Sequence, residues 1–215
     1  MIPYKDLNQT HHVPWMTILL ISINIFVFGL QLLLPLEASK ELLYRYAIIP
    51  YEFKVGPPPV ITLFTSMFLH GGFFHIGSNL LYLWIFGDNI EDRLGPFRFL
   101  FFYLLCGLIA AFAQIYSDFD SRLPALGASG AIAGVLGAYL FLFPRAKVMI
   151  LVPIFYFFRT IILPAWLVLG GWVLLQLIQV YGPTRASTGI ALYAHLGGFV
   201  AGLLLLPAFK KRSRR

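Results

Sequence analysis

The chain has 215 residues, with a hydrophobic share of 59% and a charged share of 12%. Several apolar runs are long enough to cross a hydrocarbon core about 30 Å thick, which predicts a polytopic membrane protein and excludes a soluble domain. These runs are continuously apolar rather than alternating, so helices are favoured over a β-barrel. We therefore predict an all-α membrane bundle.

The net charge of +7 does not indicate a nucleic-acid partner. The basic residues lie in short loops and in a run at 210–215, a distribution typical of a topology signal. If the N-terminus is inside, eleven of the 16 Lys and Arg residues fall on the cytoplasmic side and five outside. The excess of positive charge on one side then predicts that both termini are cytoplasmic.

In chain order, residues 1–14 are polar, lack the pattern of a secretory signal, and are predicted to form a short cytoplasmic tail. A transmembrane domain over 15–209 follows, and then a basic cytoplasmic tail over 210–215. Segment 37–60 is charged but too apolar for disorder, so we expect an ordered, partly inserted loop. Segment 148–158 is apolar but contains a proline, which indicates an interfacial position. The apolar runs predict six transmembrane helices, at 15–36, 61–90, 97–116, 129–143, 160–180 and 190–209.

A few polar side chains interrupt these helices. His70, His75 and Asn79 fall in the second predicted helix. Ser129 begins the fourth, and His195 lies in the sixth. Such groups are costly at membrane depth, so we expect them to face the protein interior or water. His75 and Asn79 are four residues apart and share one helix face.

The fourth predicted helix is short for a membrane span. From Ser129 to Phe143 it rises about 21 Å, less than a hydrocarbon core of about 30 Å. Ser129 should therefore lie below the outer surface, where the preceding backbone must be buried in protein or line a water-filled cavity. His195 is equally far, about 21 Å, from the boundary at Phe209. The serine and the histidine are thus predicted to share a depth.

Glycines at four-residue spacing predict close contact between the fourth and sixth helices. Gly130 and Gly134 lie on one, and Gly198 and Gly202 on the other. Small residues at this spacing let two backbones touch, as a serine–histidine hydrogen bond of about 2.6–3.2 Å requires. A lone serine or histidine in such a helix is also typical of plain packing, so these residues alone leave both interpretations open.

Three motifs occur along the chain: HGGFFHIGSN at 70–79, GASG at 127–130 and AHLGG at 194–198. Each alone is weak, but together they are specific. Through them essentially the whole chain closely resembles the rhomboid intramembrane serine proteases of the six-helix prokaryotic type. The resemblance implies a six-transmembrane-helix rhomboid bundle in a prokaryotic cell membrane. It also implies transmembrane proteins as substrates, cleaved by a serine endopeptidase that needs no metal or cofactor.

By this resemblance Ser129 is the nucleophile and His195 the general base of a dyad without a third carboxylate. His75 and Asn79 line the oxyanion hole, to which the backbone N–H of Ser129 is expected to contribute. His70 is expected to be structural. The glycines expected to have structural roles are Gly127, Gly130, Gly198 and Gly202.

One position departs from the family pattern. Ala133, one turn after Ser129, is aromatic in some members, where the ring would pack against the histidine. The orientation of His195 must therefore come from groups that the sequence does not identify. Asn79 also has an alternative role as an interhelical hydrogen-bonding residue.

Two other functions stay open as alternatives. The first is an inactive rhomboid relative that binds membrane proteins, but its usual sign is loss of the serine or the histidine, and both are present. The second is a small transporter or channel, for which charged residues in the middle of several helices or an internal repeat would be expected. Neither feature is found in the sequence.

Overall fold

The computed structural model describes residues 2–154, 157–181 and 191–210. Most of the described chain is helical. Within the described residues, the helices long and apolar enough to cross a membrane are Trp15–Leu33, Pro96–Ser117 and Leu192–Phe209, and two apolar helices are shorter, Ser129–Leu142 and Ala165–Tyr181. The helices are α1 (Trp15–Leu33), α2 (Leu36–Tyr46), α3 (Glu52–Val55), α4 (Thr62–Thr65), α5 (Phe73–Leu94), α6 (Pro96–Ser117), α7 (Ser129–Leu142), α8 (Ala165–Tyr181) and α9 (Leu192–Phe209).

Each of the six predicted helices has a counterpart in this set, but the second is wrong at its beginning. Instead of a continuous helix from residue 61, the structure has α4, a 3₁₀ turn at Ser66–Phe68 and a break before α5. Gly72 precedes α5 in a fully extended conformation. Two consecutive glycines have low helix propensity, which accounts for the break. His70 consequently lies in the connection rather than on the helix.

The all-α prediction is also wrong in one region, because the chain contains a small antiparallel sheet. Its strands are β1 (Ile2–Asp6), β2 (Lys147–Ile154) and β3 (Phe157–Pro164), in the order β1-β2-β3. Residues 2–6 are therefore not a free tail, and the fifth helix begins at Ala165 rather than at residue 160. Branched and aromatic residues favour strands here, while Pro153 and Pro164 disfavour helix.

Strand β1 is held to the helices by its last residue. The carboxylate of Asp6 accepts hydrogen bonds from the Tyr139 hydroxyl of α7 at 2.7 Å and from the Asn89 amide of α5 at 2.9 Å. Burial raises the pKa of the Asp6 carboxyl above its usual range. The strand thus joins the ends of two helices that carry candidate site residues.

Segment 37–60 has helices and a backbone bridge in the structure, and its partly inserted position stays a prediction. It contains α2 and α3, and Ile48 exchanges two backbone hydrogen bonds with Ala125, at 3.0 and 2.8 Å. This bridge ties the segment to the chain that leads into α7. The residues between the fifth and sixth predicted helices and those of the predicted tail over 210–215 lie outside the described residues, except for Tyr181 and Lys210.

Helix α7 is the centre of the bundle. It packs against α5, α6 and α9, and every residue from Gly130 to Tyr139 is buried. A helix that is apolar on all sides belongs in a core, because it has no face that favours water. Ser129 is the first residue of this central helix, so its position is set by the packing of α7 against its neighbours.

Candidate active site

Ser129 and His195 meet between α7 and α9. The distance from Ser129 Oγ to His195 Nε2 is 2.8 Å, a normal hydrogen bond. Both side chains border one cavity. The structure therefore brings together the two residues that the sequence analysis paired by depth.

The contact depends on glycines at the helix crossing. A Cβ atom at Gly198 would overlap the carbonyl oxygen of Gly130, and one at Gly202 would overlap that of Gly134. A Cβ at Gly130 would lie only 2.7 Å from Ala110 Cβ of α6. A side chain at Gly198 or Gly202 would therefore push α9 away from α7, and one at Gly130 would press on α6. The structure thus has the close approach of α7 and α9 that the glycine spacing predicts.

Gly127 shapes the segment that leads into Ser129. Its φ of 119° is a backbone angle that residues with a side chain rarely adopt. A Cβ there would also lie 2.5 Å from His75 Nε2. Its backbone N–H donates to the Ser66 carbonyl at 2.8 Å. The positive φ and the lack of space for a Cβ both favour glycine at this position. Without a Cβ, the His75 ring can approach the backbone next to the serine.

His75 and Asn79 extend from α5 toward the serine. His75 Nδ1 accepts a hydrogen bond from the Gly71 N–H at 3.3 Å, so in the neutral ring Nε2 carries the proton. The buried Nδ2 of Asn79 has no hydrogen-bond partner among the described residues. Buried amides are normally paired, so an unpaired donor at a cavity wall is suited to a ligand atom.

The cavity has a volume of about 460 Å³. Its walls include Ser129, His195, His75, Asn79 and Trp172. The sequence analysis expected the backbone before Ser129 to be buried in protein or to line a water-filled cavity, and this cavity borders both Leu126 and Ser129. A ligand in this cavity would contact the serine, the histidine and the donors His75 and Asn79 of α5.

His70 lies behind His75 rather than in the cavity wall. It is buried, and its ring packs edge-on against the His75 ring with the centroids 5.1 Å apart. The side chain of Gln31 bonds both backbone groups of His70, donating to its carbonyl at 3.0 Å and accepting from its N–H at 3.2 Å. Gln31 was missed by the sequence analysis, although an amide in an apolar helix was a signal for such a contact.

Two residues of α8 hold the other side of His195, and the sequence analysis missed both. Gln176 Oε1 is 2.9 Å from His195 Nδ1. The Trp172 ring packs against the imidazole with a centroid separation of 5.7 Å and a tilt of 40°. Their four-residue spacing puts them on one helix face, but only the folded structure shows that this face meets His195.

The fold and the site define a helical membrane protein in which a hydrogen-bonded serine and histidine border one cavity. A family model described as the Rhomboid domain matches residues 57–212. The chain belongs to the rhomboid family.

Proteins with related sequences come from mitochondria and bacteria. Rhomboid protein 1, mitochondrial, of Saccharomyces cerevisiae is 30% identical over 193 residues, covering 86% of this chain and 50% of that protein. Rhomboid protease GluP of Bacillus subtilis is 33% identical over 147 residues, covering 68% of this chain and 25% of that protein. The human Presenilin-associated rhomboid-like protein, mitochondrial, is 32% identical over 141 residues, covering 64% of this chain and 36% of that protein. The chain thus spans half or less of the length of these relatives.

Proposed function

We propose that the protein is an intramembrane serine endopeptidase that cleaves transmembrane segments of membrane proteins through a covalent acyl-enzyme. The observation that carries the proposal is the hydrogen bond of 2.8 Å between Ser129 Oγ and His195 Nε2 at the edge of the cavity. A serine paired in this way has a base within reach of its proton, which a serine that serves only helix packing does not need.

The first half of the reaction forms an ester to Ser129. Its Oγ attacks the substrate carbonyl carbon while His195 Nε2 accepts the hydroxyl proton. When the tetrahedral intermediate collapses, the same proton passes to the leaving amine, and the C–N bond breaks. In the second half, water attacks the ester, and His195 again accepts a proton and returns it to Ser129.

The negative oxygen of each tetrahedral intermediate needs donors that are already in place. Three are proposed: the amide Nδ2 of Asn79, the Nε2–H of His75, and the backbone N–H of Ser129. The last lies at the N-terminus of α7, where N–H groups are free of intrahelical partners and the helix dipole favours negative charge. The unpaired Asn79 donor supports this role.

The substrate must present an extended segment, since a peptide bond inside an intact helix has its carbonyl turned into the helix ladder. We propose that substrates carry small residues at the cleavage site and helix-weakening residues beyond it, as the family resemblance implies. The cavity of about 460 Å³ has room for a short stretch of such a chain and for water.

We also propose the arrangement in the membrane. Six helices would span the bilayer over 15–209, with both termini cytoplasmic, as the distribution of basic residues favours. The proposed location is a prokaryotic cell membrane, while the relatives compared above include both bacterial and mitochondrial proteins.

The proposal is tested by incubating the purified full chain, in detergent and in vesicles, with a model transmembrane substrate that contains helix-weakening residues. Wild-type protein should cleave it, and Ser129→Ala and His195→Ala should each abolish cleavage while remaining folded. Ser22→Ala, at an exposed serine of α1, is the matched control and should cleave normally. Substantial turnover by Ser129→Ala would refute the proposed nucleophile.

A further inference from the structure

Gln176 is an unusual residue for its helix. Helix α8 is otherwise apolar over most of its length, and many of its side chains are exposed on the outside of the bundle. Gln176, in contrast, is buried, with 8% of its surface exposed, and turns its amide toward His195. Burying an amide is costly unless it is hydrogen-bonded, so the bond to the imidazole is the interaction that accounts for its position.

The proton positions follow from the geometry. For Ser129 Oγ to donate its proton to His195, Nε2 must be the unprotonated nitrogen. A neutral imidazole then carries its hydrogen on Nδ1, and the group facing Nδ1 must be an acceptor. The carbonyl oxygen of the Gln176 amide is such an acceptor, at 2.9 Å. A partner that could only donate would favour the opposite tautomer, in which Nε2 could no longer accept the serine proton.

We propose that Gln176 is a positioning residue that holds His195 in the Nδ1–H tautomer and fixes its ring in the plane that reaches Ser129. This inference rests on the proposed serine–histidine mechanism. It adds to the dyad a neutral third group, which orients the base as the carboxylate of a Ser-His-Asp triad does but without adding a charge.

Trp172 completes this support from the same helix. It lies one turn before Gln176 and packs its ring on the imidazole, 5.7 Å between centroids. Ala133 in the cavity wall offers only a methyl group for such a contact. Helix α8 therefore supplies both the hydrogen bond and the tilted ring contact that keep the ring of His195 in place.

The test compares two changes of nearly equal size at one position. Gln176→Met removes the acceptor, and Gln176→Glu keeps a carboxyl oxygen in its place whether the group is ionised or neutral. Leu175→Met is the matched control, because it introduces the same side chain at an exposed neighbouring position of α8. All three are made in the full chain, and cleavage of the model substrate is measured at several substrate concentrations.

We expect Gln176→Met to lower kcat about tenfold or more, as the loss of one hydrogen bond of ordinary strength allows, with KM unchanged. Gln176→Glu should restore most of kcat, and Leu175→Met should match the wild type. Equal kcat values for wild type and Gln176→Met would overturn the proposal, as would an equal loss in Gln176→Met and Gln176→Glu.

A second readout does not depend on turnover. Nitrogen NMR of protein labelled at histidine, with the His195 signals assigned by His195→Ala, reports which ring nitrogen is protonated. Wild type and Gln176→Glu should show the Nδ1–H form, and Gln176→Met should gain the Nε2–H form. An unchanged tautomer in Gln176→Met would overturn the proposal. If the wild-type protein proves inactive, the proposed function fails, while this spectrum still decides whether Gln176 positions the ring.

Discussion

Replacement of Gly198 by alanine should inactivate the protein without removing any group from the site. An added Cβ would overlap the Gly130 carbonyl oxygen and lie 2.9 Å from its carbonyl carbon. Backbone atoms of a buried helix cannot turn aside as a flexible side chain does, so α9 must move away from α7 as a unit.

The size of the effect follows from the distances. Relief of the overlap requires about 1 Å of separation, and an error of about 1 Å in a catalytic geometry costs on the order of 10²-fold in rate. The Ser129–His195 distance of 2.8 Å would increase to about 3.8 Å, too long for a hydrogen bond. We therefore expect kcat to fall about 100-fold for Gly198→Ala, and further for Gly198→Val.

The assay is cleavage of the model transmembrane substrate, together with thermal unfolding in detergent. Gly29→Ala and Gly170→Ala are matched controls, since a Cβ at either glycine meets no atom within 4 Å. Both lie in helices, where alanine is favoured over glycine by up to about 1 kcal/mol, so they should be active and at least as stable as the wild type. Near-normal kcat for Gly198→Ala would show that the helix contact does not set the geometry of the site.

Three further results are expected. Asn79→Ala should lower kcat by about 10²–10³ in the cleavage assay with little change in KM, because one oxyanion donor is lost; a KM effect alone would assign Asn79 to substrate binding. In a Cys106→Ala background, Ser129→Cys should react slowly with a small membrane-impermeant thiol reagent added from outside. Ala138→Cys should barely react, because residue 138 is fully buried and lies deeper in α7. Equal reaction rates for the two cysteines would contradict a site that lies below the surface and is open to the outside. Glu91→Ala should lower the free energy of unfolding by about 2 kcal/mol, measured by thermal unfolding. The reason is that this buried carboxylate accepts hydrogen bonds from two backbone N–H groups and one hydroxyl at the start of α1. An unchanged unfolding temperature would contradict that role.

The sequence carried enough information for the central contact because its signals are local. The apolar runs marked where the helices lie, and the beginning of α7 at Ser129 coincides with the predicted one. The spacing of Gly130, Gly198 and their partners predicted a backbone contact that the structure contains. Distance along a helix converts directly into depth, so the meeting of Ser129 and His195 could be expected without knowledge of the packing.

Other features depend on contacts between distant parts of the chain, and the sequence analysis did not find them. Strand β1 pairs with β2 across more than half of the chain, and neither strand has a strict alternation that would have revealed the pairing. Because Ala133 has no ring to pack against His195, the sequence did not show what orients the imidazole. The residues that do so lie on α8. Which face of that helix meets the imidazole is decided by packing, so Gln176 and Trp172 could be recognised only in the structure.

The central claim is that Ser129 is a nucleophile activated by His195, and covalent labelling tests it most directly. The full chain is treated with a fluorophosphonate, and the modified residue is located by mass spectrometry of its peptides. We predict one adduct, on Ser129, with labelling lost in His195→Ala although the serine is still present. Labelling at a different serine, or equal labelling of Ser129 in wild type and His195→Ala, would contradict the account.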